Sequence, residues 1–93
     1  MSDGITRTAM IVNQRGLHAR AAAKFVQVAA RFPNARVQVS KDGQTVPGES
    51  IMGLMLLAGT QGSSIEISAT GPQAREAVTA LVDLVEDKFG ESE

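Results

Sequence analysis

The chain has 93 residues, 43% of them hydrophobic and 20% charged, with a formal net charge of −1 and no cysteine. That length suits one domain with a thin core, and the lack of cysteine excludes disulfides and thiolate metal sites. Residues 1–41 carry a net +6 and residues 42–93 a net −7, which suits a basic face that steers an acidic partner; nucleic acid is disfavoured, because the overall balance is slightly acidic and only Phe25, Phe32 and Phe89 could stack on bases.

The opening MSDGITRT is polar and lacks the apolar stretch of a signal peptide. Residues 5–12, ITRTAMIV, read as a first strand with blurred alternation. A helix follows over about Ala19 to Arg31. At 100° per residue its buried stripe is expected to be Ala19, Ala22, Ala23, Val26, Ala29 and Ala30, opposite Arg20, Lys24, Gln27 and Arg31. Residues 35–40, ARVQVS, alternate cleanly as a second strand. Asp42-Gly43 is a hairpin signal, leading to a short third strand over 44–46 that Pro47-Gly48 should stop. Ser50 is a plausible N-cap for a short helix over 51–57, with Leu54 and Leu57 inward. The longest apolar run, LMLLA, is far too short to span a bilayer. Residues 64–70, SIEISAT, form a fourth strand. A last helix over about Pro72 to Phe89 has Pro72 in its first turn and Gly90 at its end. Its inner face is Ala74, Ala77, Val78, Leu81, Leu84 and Val85.

The order β-α-β-β-α-β-α, with one apolar face per strand, predicts a two-layer α+β sandwich whose helices cover one face of the sheet. A single domain over residues 1–93, in the cytoplasm and without a membrane partner, is the expectation.

One stretch carries chemistry. RGLHARAAAKFV, Arg15 to Val26, contains the only histidine, His18. Gly16 permits a tight entry from the strand, and His18 falls at or beside the N-cap of the first helix. The first amides of a helix lack internal partners and carry partial positive charge, a ready anion site. The amides of Ala19, Arg20 and Ala21 are the candidate donors, and the Arg20 guanidinium adds a permanent charge shaped for phosphate oxygens. Positive surroundings favour a neutral, nucleophilic imidazole, and would then receive a phosphoryl dianion on it. An ordinary helix cap and a general acid–base remain open readings of His18; one histidine is too few ligands for a zinc site. No phosphate loop, metal cluster or partner base is visible, so a half-site of this kind belongs to a carrier.

GLHARAA together with GESIMGLMLLA resembles the HPr family, the histidine-containing phosphocarriers of the bacterial phosphotransferase system. The resemblance runs from the first strand to the last helix. It implies an open-faced sandwich with four antiparallel strands in the order 1-4-2-3 under three helices. It implies that His18 is phosphorylated at Nδ1 by phosphorylated Enzyme I and passes the group to an EIIA-type acceptor, and that Arg20 contacts the phosphoryl group and acidic partners. No cofactor or metal and no stand-alone enzyme are expected, and a monomer is the default state. The family motif commonly reads GLHARPA, so Ala21 is a departure; it restores an amide that proline lacks, an added donor toward the phosphoryl group.

The same resemblance matches Ser50 to the serine phosphorylated in many members by HPr kinase/phosphorylase, where a phosphate would meet a helix N-terminus and repel acidic partners. Ile51, Met52 and Met55 match an exposed apolar patch beside the active centre, in which methionine adapts to differently shaped partners. Leu17, Arg20 and Lys24 complete the expected partner surface. A regulatory interaction module is the alternative from another class, and a small hydrolase using His18 a weaker one.

Overall fold

The computed structural model describes residues 4–93. Met1 to Asp3, which fall within the polar N-terminus and the expected single domain, lie outside the described residues. Strand β1 covers Ile5–Met10, helix α1 Ala19–Ala29, β2 Arg36–Lys41, β3 Gln44–Pro47, helix α2 Ile51–Leu56, β4 Ser64–Thr70 and helix α3 Ala74–Glu86, followed by a single 3-10 turn at Lys88–Gly90. The strands form one antiparallel sheet in the order β1-β4-β2-β3. The expected topology is therefore the observed one.

The register explains which face is apolar. Ile67 lies between Arg7 of β1 and Val39 of β2, and Ala69 between Ile5 and Val37. Ile65, Ile67, Ala69, Val37 and Val39 are buried, while their alternate neighbours Glu66, Gln38 and Thr70 are exposed. Arg7 accounts for the blurred alternation of β1. It shares the inner face with Ile5 and Ala9, and an edge strand lets so long a side chain reach solvent. Asp42 and Gly43 both have positive φ (51° and 84°), as a type I′ hairpin requires. Pro47 pairs with Gln38 instead of stopping β3, because an edge strand tolerates a residue without an N–H.

Helix α1 is rotated from the expected stripe. Ala21, Ala22, Phe25 and Ala29 are its buried residues, and Ala19 and Ala30 are exposed. Phe25 decides the rotation, because a fully buried phenyl ring gains far more than an alanine methyl loses by exposure. Helix α3 turns inward through Ala74, Ala77, Val78, Leu81, Val82 and Val85; Val82 takes the place expected for Leu84, which is half-buried. It packs on β1 and β4, and α1 packs against α2 and α3.

Helix α3 also ends earlier than expected. Lys88 and Phe89 adopt positive φ (59° and 53°), a conformation that costs non-glycine residues about 1–3 kcal/mol each. Burial of Phe89, which is fully enclosed, offsets it. The reversal at residues 88–90 turns the last residues back toward the start of α1.

Candidate functional site

The site is assembled by the loop that links β1 to α1. Ile11 extends the pairing with the loop before β4, donating its N–H to Ser63 O and accepting from Gly62 N–H, both at 2.8 Å. Asn13 to Gly16 then form a turn in which Gly16 N–H donates to Asn13 O at 3.2 Å. Gly16 has φ +68°, and a Cβ there would lie 2.3 Å from the carbonyl oxygen of Gly59. That carbonyl accepts the N–H of Leu17 at 2.8 Å. Glycine is required at 16 on both counts.

His18 is the N-cap residue of α1, extended at φ −77° and ψ 178°, and its side chain makes no capping bond. The first amide tied into the helix is that of Ala22, which donates to His18 O at 2.9 Å. The N-terminal amides of Ala19, Arg20 and Ala21 thus precede the ladder, where partial positive charge accumulates.

The imidazole is not free. Its Nε2 is paired with the Glu91 carboxylate, and both side chains are 17% exposed. Fully buried Asn13 braces the pair: its Nδ2 donates to Glu91 Oε1 at 3.0 Å and to Gly16 O at 2.9 Å. Both partners are acceptors only, which fixes the orientation of the amide. Burial pushes the Glu91 carboxyl upward, but hydrogen bonds from Asn13 and His18 and the charges of His18 and Arg15 outweigh it, so its pKa lies below the ordinary 4.5. The expectation of purely positive surroundings for His18 is therefore corrected. The acidic end of the chain folds onto the basic beginning and supplies a carboxylate in direct contact with the ring. With Nε2 engaged, Nδ1 is the ring nitrogen left for chemistry.

Arg20 is exposed and lines a shallow depression of about 270 Å³ with Arg15, Glu91, Ser92 and Glu93. Ala19 is exposed beside it, whereas Ala21 is fully buried. Two members of the expected partner surface are placed otherwise. Leu17 is only 5% exposed and belongs to the core, because the tight turn at Gly16 directs it inward. Lys24 is committed within the molecule, donating from Nζ to Phe89 O at 2.8 Å.

Ser50 caps α2, its Oγ accepting from Gly53 N–H at 2.9 Å. Leu54 and Leu57 are buried as expected, and Ile51, Met52 and Met55 are exposed. Leu56, expected by no pattern, is 73% exposed beside Met52 at 74%; with α2 ending at Leu56, it falls on the outward side of the helix.

Glu91 and Asn13 are the residues that sequence reasoning missed. Asn13 and Gly16 stand at the first and fourth positions of a turn, a readable signal. Nothing local links either to Glu91, 78 residues away from Asn13. Among the described residues no group of three or more histidine, cysteine, aspartate or glutamate side chains gathers to hold a metal, and no helix is long and apolar enough to cross a membrane.

Comparison with known proteins places these features in context. The family model described as the PTS HPr component phosphorylation site matches residues 5–87. The phosphocarrier protein HPr of Cupriavidus necator is 43% identical over 89 residues, covering 96% of this chain and 99% of that protein. HPr of Neisseria meningitidis serogroup A is 48% identical over 83 residues, covering 89% and 92%. The crystal structure of HPr-C-His from Thermoanaerobacter tengcongensis superposes with a TM-score of 0.89 at 47% identity, covering 96% of this chain and 99% of that one.

Proposed function

Because the chain belongs to the HPr family of phosphocarrier proteins of the phosphotransferase system, we propose that it accepts a phosphoryl group on Nδ1 of His18 from phosphorylated Enzyme I and passes it to an EIIA-type acceptor. The observation that carries the assignment to His18 is the position of the chain's one histidine at the uncapped N-terminus of α1. The Nδ1 lone pair attacks phosphorus. A nitrogen–phosphorus bond forms as the bond from phosphorus to the donor breaks, and that electron pair leaves with the donor. Transfer onward reverses these events at the acceptor.

In this reading the amides of Ala19, Arg20 and Ala21 and the guanidinium of Arg20 receive the phosphoryl oxygens. These donors are fixed in advance, so little reorganisation accompanies the arrival of charge. The protein is a relay and not a stand-alone catalyst, working as a monomeric single domain over residues 1–93 in the cytoplasm, without cofactor or metal. Ile51, Met52 and Met55, with Leu56 added, form the apolar docking surface.

Ser50 supports a second, regulatory reading that coexists with the first. Its hydroxyl stands at the head of α2, whose next residues are the exposed apolar ones. Phosphorylation there by HPr kinase/phosphorylase would put about two negative charges on the docking surface and slow transfer. Incubation with phosphoenolpyruvate, Enzyme I and an EIIA separates the readings. A carrier delivers label to the EIIA through His18; a module that gains label and delivers none would refute the relay.

A further inference from the structure

The exchange just described leaves Glu91 and Asn13 without a role, although Glu91 pairs with the His18 ring and Asn13 braces Glu91 against the entry turn. We propose that Glu91 is the positioning residue of the phosphoryl-accepting histidine: it holds the ring proton on Nε2, presents the Nδ1 lone pair, and stabilises the positive charge that spreads over the ring as Nδ1 bonds to phosphorus. The inference rests on His18 being the acceptor.

The electronic argument follows from the bond changes. A neutral imidazole has one N–H and one lone pair. A carboxylate accepts only, so its contact with Nε2 requires the proton there and leaves the lone pair on Nδ1. No proton has to move before attack. When Nδ1 shares its pair with phosphorus, the ring becomes cationic and its Nε2–H more acidic. A carboxylate already on that hydrogen stabilises the charge as it develops, as a buried carboxylate does for the histidine of a serine hydrolase.

The brace shows that the contact is built. Asn13 Oδ1 is buried with no hydrogen-bond partner among the described residues, a costly arrangement for a core position. What the asparagine supplies in exchange is two N–H donors, one to the entry turn at Gly16 and one to Glu91. Lys24 holds the reversal at Phe89 two residues before Glu91, and Asn13 holds Glu91, so this C-terminal strap, residues 89–91, is fixed at both ends. Against the upward push of burial, hydrogen bonds with Asn13 and His18 hold the Glu91 carboxyl below its ordinary value, so the group is a carboxylate near neutral pH.

Phosphoramidate, a small donor that needs no docking surface, tests this. Attack by Nδ1 breaks its phosphorus–nitrogen bond and releases ammonia, so the rate reports the ring alone. The full chain is compared with Glu91→Ala, Glu91→Gln and Glu91→Asp, with ¹⁵N spectra of His18 recorded on each. Labelling should slow about tenfold in Glu91→Ala, less in Glu91→Gln, which keeps an acceptor without charge, and recover partly in Glu91→Asp. The spectra should place the proton on Nε2 in the parent and show mixed tautomers in Glu91→Ala. Unchanged or faster labelling in Glu91→Ala, or the same tautomer in all four proteins, overturns the role; a faster rate would make the strap an inhibitor. Label retained in His18→Ala would instead overturn the acceptor assignment itself.

Discussion

Replacing Gly16 with alanine should be far more damaging than replacing Gly43, although both glycines have positive φ, +68° and +84°. An alanine in that conformation costs roughly 1–2 kcal/mol. At Gly43 that is the whole cost, because an added Cβ meets nothing within 4 Å. At Gly16 the Cβ would lie 2.3 Å from Gly59 O, so the carbonyl must retreat by roughly 1 Å to reach ordinary contact. That movement breaks the Leu17 N–H to Gly59 O bond and leaves a donor unpaired beside a buried side chain, a further loss of about 1–3 kcal/mol. Thermal unfolding of the two variants isolates this second contribution. Gly16→Ala should melt roughly 5–20 °C below Gly43→Ala for a domain of this size, and phosphoryl acceptance should fall with it, since His18 hangs from the displaced turn. Equal melting temperatures would refute the claim that close backbone approach at Gly16 sets the position of the histidine.

Four further outcomes are expected. Lys24→Met should speed hydrogen exchange at the Gly90 and Glu91 amides by releasing the bond to Phe89 O; unchanged exchange with weaker partner binding would restore Lys24 to the docking surface. Glu91→Gln should lower stability near pH 7 relative to the parent, and the difference should vanish in acid. A depressed carboxylate contributes above its unfolded value of 4.5 and loses the contribution as pH falls through its lower folded value; a difference that persists at pH 2 would contradict this in urea titrations across the range. Ala21→Pro should shorten the lifetime of the phosphohistidine by removing one amide from the cradle, and an equal or longer lifetime would argue against a donor at 21. Ser50→Asp should slow transfer from Enzyme I while Ser50→Ala stays close to normal, and equal rates in all three proteins would remove serine control from the account.

Much of the architecture was legible because it is local. The alternation in residues 35–40 and 64–70, the Asp42-Gly43 turn and the Ser50 cap each act within a few residues, and each appears in the structure at its expected place. The strand order came from family resemblance and not from the pattern. The rotation of α1 was misread because six alanines offer almost no contrast around the helix, whereas Phe25 alone decides the packing. At the site, Gly16 and His18 were readable from the glycine entry and the helix start. Leu17 and Lys24, expected on the partner surface, are placed otherwise, because a backbone turn buries one and a distant carbonyl captures the other. Glu91 was unreadable for a physical reason: its contact with His18 depends on the left-handed turn at Lys88 and Phe89, and no propensity favours two such residues there.

The central claim is that the imidazole at the open end of α1 takes the phosphoryl group on Nδ1. Phosphorylating ¹⁵N-labelled protein with Enzyme I and phosphoenolpyruvate, then recording ³¹P and ¹⁵N spectra at alkaline pH, tests it most directly. One phosphate per chain, lost in acid and coupled to Nδ1 of His18, is the predicted result; phosphate on Nε2, on another residue, or in undiminished amount in His18→Ala would contradict it.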